Sequence, residues 1–507
     1  MLIVGAGPTG LVLALWLSRL QVRVRIVDKT LEPGTTSRAL AVQARTLEFY
    51  QQLGLADAVV RRARAAVAVN LWVAGRQVAH VCFGDLGATL SAFPNPLIFP
   101  QDEHERLLIE RLGARGVTVE RGTELVDFVE SDERIRARLR RSDGVMESCA
   151  AAYMAGCDGA HSTVREQLGI GFPGGTYDHL FYVADVQAAG TAANGELHVG
   201  LDAADFVAVF PLRSPGGVRL VGAMRDAPHQ QHDQLAWADV GQRVIQWMHL
   251  DVRQVNWFST YRVHHRVASQ FHAGRAFLLG DAAHIHSPVG GQGMNTGIGD
   301  AVNLAWKLAA VLGGRAAAAI LDTYEAERIG FARRLVATTD RAFSGVTNRG
   351  VGARWLRLRV VPVLMPLLFA FRGVRRFLFR TVSQTSVNYR GSALSEGRCG
   401  AVHGGDRLPW AMADESDSAA GNFSALASLD WQVHVYGAAS SALRSVCAAR
   451  QLPLHVFSWR PQLRRAGLCR DVGYLVRPDG YVALVDSRGG VALSSYMEKH
   501  GILTRPA

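Results

Sequence analysis

The chain has 507 residues, 49% hydrophobic and 20% charged, a composition typical of a globular enzyme that divides into about two to four domains. Its net charge of +11 comes mostly from one segment, because residues 351 to 380 contain seven arginines and no acids. The rest of the chain is nearly balanced and lacks the alternating basic and aromatic residues of a nucleic-acid platform, so DNA or RNA binding is not expected.

The start of the chain and its six cysteines bear on the cellular compartment. The sequence opens directly into MLIVGAG, without the basic region, the long apolar region and the cleavage site of a secretory signal. Only four residues precede Gly5, few for a buried first strand, which leaves a truncated or misassigned start open. The cysteines show neither a CxxC pair nor metal-ligand spacing. No disulfide framework and no zinc site are therefore expected, and a cytoplasmic location is predicted.

Residues 1–28 predict a strand, a tight turn, an apolar helix and a second strand, which together form one βαβ unit. The turn, GAGPTG at 5–10, fits the dinucleotide fingerprint. Its first glycine permits the turn, its second lets the backbone approach a pyrophosphate, and its third packs the helix on the strand. An acid at the end of the second strand is placed to bind a ribose. The predicted contacts are Gly5, Gly7, Pro8, Thr9, Gly10, Asp28 and Lys29.

Further strands are predicted at YMAGCDG (153–159), in a strand-rich stretch from about 179 to 265, and at RAFLLGD (275–281). From Thr296 the pattern is helical to about residue 390. The segment GIGFPG at 169–174 repeats the spacing of the fingerprint, but its proline and the strand-like residues after it do not open a helix. A second nucleotide-binding unit is therefore not predicted.

Past Gly400 the sequence predicts a small separate α/β domain with a strand, a helix, a second strand and a hairpin turned at Pro478-Asp479-Gly480. The three cysteines of this part lie far apart and offer no reactive pair at a helix N-terminus. We therefore predict that it has no thiol–disulfide activity and serves in packing or in a dimer contact.

Two further motifs make a family resemblance specific. CDGAHSTVR at 157–165 resembles the DG motif of the class A flavoprotein monooxygenases, and GDAAH at 280–284 resembles their GD motif. With the fingerprint they occur in the family's order, and the resemblance covers roughly residues 2 to 345. Within the family the chain is most similar to the aromatic polyketide and phenol hydroxylases, which include the tetracycline and rifamycin hydroxylases and carry a C-terminal thioredoxin-like domain.

The resemblance implies an α/β fold in which a mixed-sheet substrate domain is inserted into a Rossmann-type FAD-binding domain. A helical segment and a thioredoxin-like domain follow. The implied boundaries are 1–178 and 266–345 for the FAD-binding domain, 179–265 with part of 70–100 for the substrate domain, 346–395 for the helical segment and 396–507 for the thioredoxin-like domain.

The resemblance also implies contacts with FAD. Asp281, after Gly280, would hydrogen-bond the ribityl chain, Arg38 and Gln101 would contact the cofactor, and Asp158 would be mostly architectural. Glycines let the backbone approach the isoalloxazine ring, and amides at the start of the following helix stabilise negative charge on the reduced ring. The residues expected beside the ring are Pro288, Gly290, Gly293, Met294 and Asn295.

The implied reaction is hydroxylation of a phenolic or polycyclic aromatic substrate. NAD(P)H reduces FAD, O2 adds at flavin C4a, and the hydroperoxide transfers oxygen to the ring in a dry cavity. The catalytic residues stay unknown, with His264 and His265 as weak candidates for a base that deprotonates a phenol.

Several alternatives stay open. The same fold serves Baeyer–Villiger oxygenases, isoprenoid reductases and halogenases, although the chain lacks the Trp-x-Trp pair of a halogenase. A non-catalytic flavin-binding or lipid-associated protein is the rival from another class. His284 and His286 form an HxH pair without a third ligand nearby, so no metal site is predicted.

The charge-free segment VVPVLMPLLFAF (360–371) has only 12 residues and two prolines, so it cannot span a bilayer. Packing of this segment against the core is the first expectation. Its flanking arginines leave two alternatives open, weak contact of 354–380 with a membrane surface and a role in lining a wide pocket. The sequence leaves both a monomer and a homodimer open.

Overall fold

The computed structural model of the protein describes residues 1–34, 39–131, 133–202, 206–224, 235–287, 289–347, 352, 355–412 and 421–503. Along the chain it shows a first α/β region, a large sheet, a helical region and a C-terminal α/β region, which confirms the mixed α/β class. The domain boundaries given above stay predictions.

The first region, here called the FAD region, contains short strands and helices that alternate at its start. Its strands are β1 (Leu2–Val4), β2 (Arg25–Asp28), β3 (Ala41–Val42), β4 (Arg64–Ala65), β5 (Ala68–Val73), β6 (Arg76–Cys82), β7 (Leu97–Ile98), β8 (Val119–Arg121), β9 (Thr123–Glu130), β10 (Ile135–Arg141), β11 (Met146–Ala151) and β12 (Met154–Gly156). Its helices are α1 (Pro8–Arg19), α2 (Ala44–Gln52), α3 (Ala56–Arg62), α4 (Gly84–Gly87), α5 (Gln101–Gly113) and α6 (Thr163–Gln167).

The next segment supplies most of a large sheet and then returns to the FAD region. Its strands are β13 (Gly174–Gly190), β14 (Leu197–Leu201), β15 (Phe206–Pro211), β16 (Gly217–Ala223), β17 (Leu250–Val267), β18 (His272–Ala273), β19 (Ala276–Leu278) and β20 (His284–Ile285), and its one α-helix among the described residues is α7 (Arg243–Trp247). Gly174 of the rejected GIGFPG segment begins β13, so no helix opens there.

A six-stranded sheet forms the centre of the FAD region, in the order β18-β19-β12-β1-β2-β8. All neighbours are parallel except β18 and β19. Parallel sheets are covered on both faces by helices, and α1 accordingly buries every residue from Gly10 to Leu17. The predicted βαβ unit and the strands predicted at YMAGCDG and RAFLLGD are confirmed.

The large sheet has eight strands in the order β20-β17-β13-β16-β15-β14-β5-β6. β5 and β6 of the FAD region join this sheet as well, whereas the assignment of part of 70–100 to the substrate domain stays a prediction. At the other edge β20, which begins at the last residue of the GD motif, pairs with β17 through Ile285 and Arg266. The sheet is thus joined to the FAD region at both edges.

The helical region begins with two long helices and ends with two shorter ones. These are α8 (Gly293–Leu312), α9 (Asp322–Thr347), α10 (Val361–Ala370) and α11 (Arg372–Val382). Phe369 of α10 packs with the buried Phe379, whereas Val363 and Leu367 are exposed, so the segment packs on the core with one side only. In the described part of the chain, no helix is both long and apolar enough to cross a membrane.

The C-terminal region contains β21 (Arg398–Cys399), β22 (Val402–His403), β23 (Gln432–Tyr436), β24 (Leu454–Phe457), β25 (Gly473–Val476), β26 (Val482–Asp486), α12 (Ser441–Ala449), α13 (Pro461–Arg465) and α14 (Val491–Lys499). The strand order is β24-β23-β25-β26, with β23 and β24 parallel and the other pairs antiparallel. The predicted hairpin is confirmed as β25 and β26. The thioredoxin-like assignment stays a prediction.

The structure corrects the expectation that the cysteines form no disulfide. Cys399 and Cys469 are bonded although 70 residues separate them. β21 carries the first cysteine, and the second follows α13, so only the folded C-terminal region brings the two together. Spacing along the chain gave no sign of this pair.

A buried cluster of charges, here called the interface cluster, joins the C-terminal region to α8 and α9. Glu327 of α9 accepts hydrogen bonds from Arg477 Nη1 at 2.6 Å and from Lys307 Nζ of α8 at 2.9 Å. Arg477 also pairs with Asp479 at 2.6 Å, and the Trp306 indole donates to that aspartate at 3.0 Å. The charges compensate one another inside the protein, because the four charged side chains are at most 1% exposed.

Candidate flavin site

Three glycines of the β1–α1 turn differ in what surrounds them. Gly5 has φ +101°, and a Cβ there would lie 2.3 Å from the backbone oxygen of Cys157. A Cβ on Gly10 would lie 2.1 Å from the oxygen of Gly5, whereas a Cβ on Gly7 would meet nothing within 4 Å. Packing therefore requires glycine at the first and third positions. The second borders open space, the room that a pyrophosphate needs.

Asp28 ends β2 beside this turn and fixes its shape. Its Oδ2 accepts a hydrogen bond from the Ala6 amide at 2.7 Å, and its Oδ1 accepts from the Thr30 amide at 2.8 Å. Arg121 of β8 adds an ion pair at 3.6 Å, and Lys29 is exposed. The carboxylate is thus held at the carboxyl end of a parallel strand, where the ribose prediction places it.

The separated motifs meet at the start of α1. A Cβ on Gly280, which has φ +58°, would lie 2.7 Å from Thr9 Oγ1, and a Cβ on Gly297 of α8 would lie 2.3 Å from the same atom. The Cys157 amide donates to the carbonyl of Val4 at 2.7 Å. The fingerprint, the DG motif and the GD motif therefore surround one place, as their sequence resemblance implied.

Asp300 of α8 organises the GD motif, a role that sequence reasoning missed. It accepts hydrogen bonds from the Gly280 amide at 3.1 Å, from His284 Nε2 at 2.7 Å and from Arg328 Nε at 2.6 Å. Burial opposes ionisation, but Arg328 and His284 outweigh it and hold the pKa of Asp300 below its usual value. His284 is therefore engaged by a carboxylate. Among the described residues no cluster of three or more metal-ligating side chains exists.

Residues 289–295, here called the flavin loop, lead into α8. Gly290 and Gly291 have φ of +78° and +61°, a backbone conformation that favours glycine. Asn295 donates to the carbonyls of Ala41 and Gly291, both at 2.8 Å, and accepts from the Gln43 amide at 2.9 Å. The loop is thereby fixed to β3 and to the residue before α2, and its last three residues form the N-terminus of α8.

Two buried polar atoms beside the flavin loop have no hydrogen-bond partner among the residues that the structure describes. His286 donates through Nδ1 to the Ser287 carbonyl at 2.7 Å, while its Nε2 and the Ser287 hydroxyl lack hydrogen bonds. Burial lowers the pKa of His286 to about 4, so the ring is neutral and Nε2 is an acceptor. A Cβ on Gly293 would lie 3.7 Å from that atom. Unsatisfied buried groups fit a site completed by a polar ligand such as a flavin.

Comparison with known proteins agrees with this geometry. A family model described as an FAD binding domain matches residues 1–339. The 6-methylpretetramide 4-monooxygenase of Streptomyces rimosus is 36% identical over 96% of this chain and 91% of that protein. The pentachlorophenol 4-monooxygenase of Sphingobium chlorophenolicum is 31% identical over 80% of this chain and 75% of that protein. The chain belongs to the FAD-dependent aromatic monooxygenases.

Solved structures extend the likeness to the C-terminal region. An anhydrotetracycline hydroxylase from Streptomyces rimosus matches the monooxygenase with a TM-score of 0.78 and 28% identity, over 100% of this chain and 99% of that one. An aromatic hydroxylase from angucycline biosynthesis matches with a TM-score of 0.77 and 26% identity, over 99% of both chains. FAD is the cofactor, and NAD(P)H is the reductant typical of the family.

The other predicted contacts are less direct. Gln101 begins α5 and donates to Glu105 at 2.8 Å. Asp158 accepts from the Val164 amide at 3.2 Å, and burial raises the pKa of its carboxyl, which supports the architectural role. Asp281 is exposed in a short 3-10 turn that follows β19. Arg38 and Pro288 lie outside the described residues.

His264 and His265 of the monooxygenase lie on opposite faces of β17, because successive strand residues alternate. The ring of His264 hydrogen-bonds the Thr176 hydroxyl at 2.7 Å, and burial with nearby Arg266 lowers its pKa. His265 packs on the ring of Tyr177 with centroids 4.7 Å apart, and its buried Nδ1 has no hydrogen-bond partner in the described part of the chain. These contacts favour a structural role for His264 and keep His265 as a candidate base.

The large sheet turns an apolar face toward the FAD region. Phe210 of β15 packs against Leu40 and Ile98 of that region, whereas the opposite face packs on α7. Cross-strand neighbours share a face, so this surface also carries the Arg219–Asp185 ion pair, at 2.5 Å. The further residues that line this face are Val69, Phe181, Val183, Ala208, Val221, Trp257, Ser259 and Tyr261.

Proposed function

We propose that the monooxygenase hydroxylates a bulky, electron-rich aromatic compound, a multi-ring phenol, with NAD(P)H and O2. The observation that carries this proposal is the broad apolar and aromatic face of the large sheet, which is turned toward the FAD region. A flat aromatic substrate gains most of its binding energy from such a surface. FAD would supply the redox chemistry, by accepting reducing equivalents from NAD(P)H and activating O2.

The protein's own contribution is orientation, exclusion of water and control of charge. Phe181 and Tyr261, whose rings lie 5.8 Å apart, form part of an apolar wall that keeps water away from the reacting ring. The N-terminus of α8, which forms the end of the flavin loop, would stabilise negative charge that arises on the reduced flavin. His265 is proposed to hold a substrate hydroxyl through its free Nδ1.

The contacts with FAD form part of the proposal. Asp281, exposed at the start of the GD motif, is proposed to bind the ribityl chain, and Gly7, Asp28 and Gly293 are proposed to border the rest of the cofactor. We expect the protein to purify yellow with one noncovalent FAD and Asp281→Ala to weaken its retention sharply. Asp102→Ala, at an exposed ion pair of α5, is the control. Finding FMN, or no flavin after reconstitution, would refute this assignment.

Stopped-flow reduction tests the substrate class. Without substrate, NAD(P)H should reduce the flavin slowly, because premature reduction wastes reducing equivalents as peroxide. A polycyclic phenol should accelerate reduction and yield a product heavier by one oxygen atom. Fast, coupled reduction with single-ring hydroxybenzoates alone would contradict the proposal. Product mass spectrometry and NMR would separate hydroxylation from a Baeyer–Villiger ring expansion.

The proposal extends to where the protein works. Val363, Phe371 and Phe377 are 64%, 64% and 69% exposed, and arginines flank them, so weak contact with an anionic membrane surface is proposed for 354–380. Co-sedimentation with anionic vesicles, and none with zwitterionic vesicles, would support it. Light scattering distinguishes a monomer from a homodimer, and cell fractionation tests the cytoplasmic location.

A further inference from the structure

Helix α2 lies between the C-terminal region and the flavin loop and hydrogen-bonds to both. On the C-terminal side, Glu48 of α2 accepts from Arg407 Nε at 2.8 Å, with a second contact from Arg407 Nη2. The same carboxylate also accepts hydrogen bonds from Arg45 Nη1 at 2.9 Å and from the Ser91 hydroxyl at 2.6 Å. The Glu48 side chain is only 1% exposed, so one buried carboxylate gathers two arginines and a serine.

The charge on Glu48 is permanent at neutral pH. Burial opposes ionisation, but Arg407 and then Arg45 outweigh it and hold the pKa of Glu48 below its usual value. Arg45 continues the chain of contacts, because its Nη2 donates to the Asp479 carbonyl in the β25–β26 turn at 2.7 Å. Gln52 adds a hydrogen bond to the neighbouring Pro478 carbonyl at 3.2 Å. The C-terminal region therefore hydrogen-bonds to α2 through Arg407 and through the carbonyls of Pro478 and Asp479.

On the other side, α2 and the residue before it hold the flavin loop. The Thr46 hydroxyl donates to Asn295 Oδ1 at 2.7 Å, and Gln43 Nε2 donates to the Gly290 carbonyl at 3.2 Å. Thr46 lies between Arg45 and Glu48 on the same nine-residue helix. Because hydrogen bonds along a helix keep its residues in fixed relation, a shift of Glu48 moves Thr46 as well.

We propose that the C-terminal region positions the flavin loop through α2, with Glu48 and Arg407 as the positioning residues. A merely apolar contact would allow α2 to slide, whereas a two-point arginine–carboxylate contact fixes both distance and direction. The task assigned to the C-terminal region is therefore to hold the flavin loop at the distance that FAD requires. This inference rests on the proposed FAD site.

The test measures FAD itself in the full-length protein. Arg407→Lys keeps the positive charge but loses the two-point contact, and should raise the FAD dissociation constant roughly 3- to 10-fold and change the visible circular dichroism of bound FAD. Thr46→Val breaks the same path on the loop side and should act in the same direction. Because both changes break one path, the double variant should lose less than the product of the two single effects.

Arg450→Lys is the matched control, since Arg450 pairs with Glu498 inside the C-terminal region, and it should leave the FAD dissociation constant unchanged. If Arg407→Lys fails to fold, Ser91→Ala removes one hydrogen bond to Glu48 and should still weaken FAD binding. A lower melting temperature with unchanged FAD affinity and dichroism in these variants would overturn the inference. A wild-type protein that binds no FAD would instead refute the proposed function.

Discussion

The β1–α1 turn and the interface cluster are both rigid, but different forces fix them. In the turn, close backbone contacts determine the conformation, because any side chain on Gly5 or Gly10 would collide with backbone oxygens. In the cluster, Lys307 comes from α8, Glu327 from α9 and Arg477 from the β25–β26 turn, and mutual compensation of charge holds them together. A site that depends on the conformation of a short backbone segment can be recognised from the spacing of glycines in the sequence. A site made by distant charges becomes visible only in the fold.

The largest expected effect comes from breaking the interface cluster. Glu327→Ala leaves Lys307 and Arg477 buried with their shared partner removed, which should cost about 3–5 kcal/mol of unfolding free energy. Urea denaturation of the wild type and the variant measures the difference. Glu498→Ala, at a pair whose glutamate side chain is 65% exposed, should change stability by less than about 1 kcal/mol. An equal loss of unfolding free energy in the two variants would show that the interface cluster stabilises the protein no more than an exposed ion pair does.

Acid should lower the stability of both the FAD region and the C-terminal region through buried histidines. Burial lowers the pKa of His104, in α5, and of His434, in β23, to about 3. An unfolded histidine titrates near 6.5, so below that pH the unfolded state takes up the proton first. The stability contributed is complete above about pH 6.5 and is lost as pH falls toward 3, at about 1.4 kcal/mol per pH unit for each ring. Urea denaturation between pH 7.5 and 5 measures how steeply the free energy of unfolding falls with pH. His434→Gln should make that fall less steep.

The glycines of the turn allow a sharper comparison within one motif. Gly7→Ala should fold normally, because its Cβ would have no atom of the described residues within 4 Å, but the methyl group enters the proposed space for the pyrophosphate. FAD affinity should fall at least about tenfold, or about 1.4 kcal/mol. Flavin fluorescence titration measures the affinity, and Gly113→Ala, whose Cβ also meets nothing, is the control. Unchanged affinity in Gly7→Ala would place the pyrophosphate elsewhere.

The sequence correctly predicts the parts of the fold that depend on the local pattern of hydrophobic and turn-forming residues. The hydrophobic runs around Gly5 and Ala276 and the hairpin at Pro478-Asp479-Gly480 are strands where the periodicity placed them. The motif residues of the flavin site carry the same kind of signal, since glycine spacing reports directly on backbone geometry. The convergence of the fingerprint with Gly280 and Cys157 follows from the order of parallel strands in one sheet.

Other features depend on contacts between distant residues and left no local signal. The disulfide of Cys399 and Cys469, the partners of Asp300 and the role of Glu48 all join segments that only the tertiary structure brings together. The sequence presents His286 only as one half of an HxH pair, and that pattern does not indicate which ring nitrogen is left without a hydrogen bond. An acid within an apolar helix that follows a glycine-rich motif would have pointed to Asp300, but the sequence gives no sign that Arg328 is its partner.

Incorporation of labelled oxygen tests the central claim most directly. The protein, FAD and NAD(P)H are incubated under 18O2 with a polycyclic phenol, and the product is examined by mass spectrometry. One labelled atom from O2, absent when only the water is labelled and absent in Asp281→Ala depleted of FAD, is the result expected of an FAD-dependent aromatic monooxygenase. NAD(P)H consumption that ends only in hydrogen peroxide, or label that enters from water, with every single-ring and multi-ring phenol tried, would contradict it.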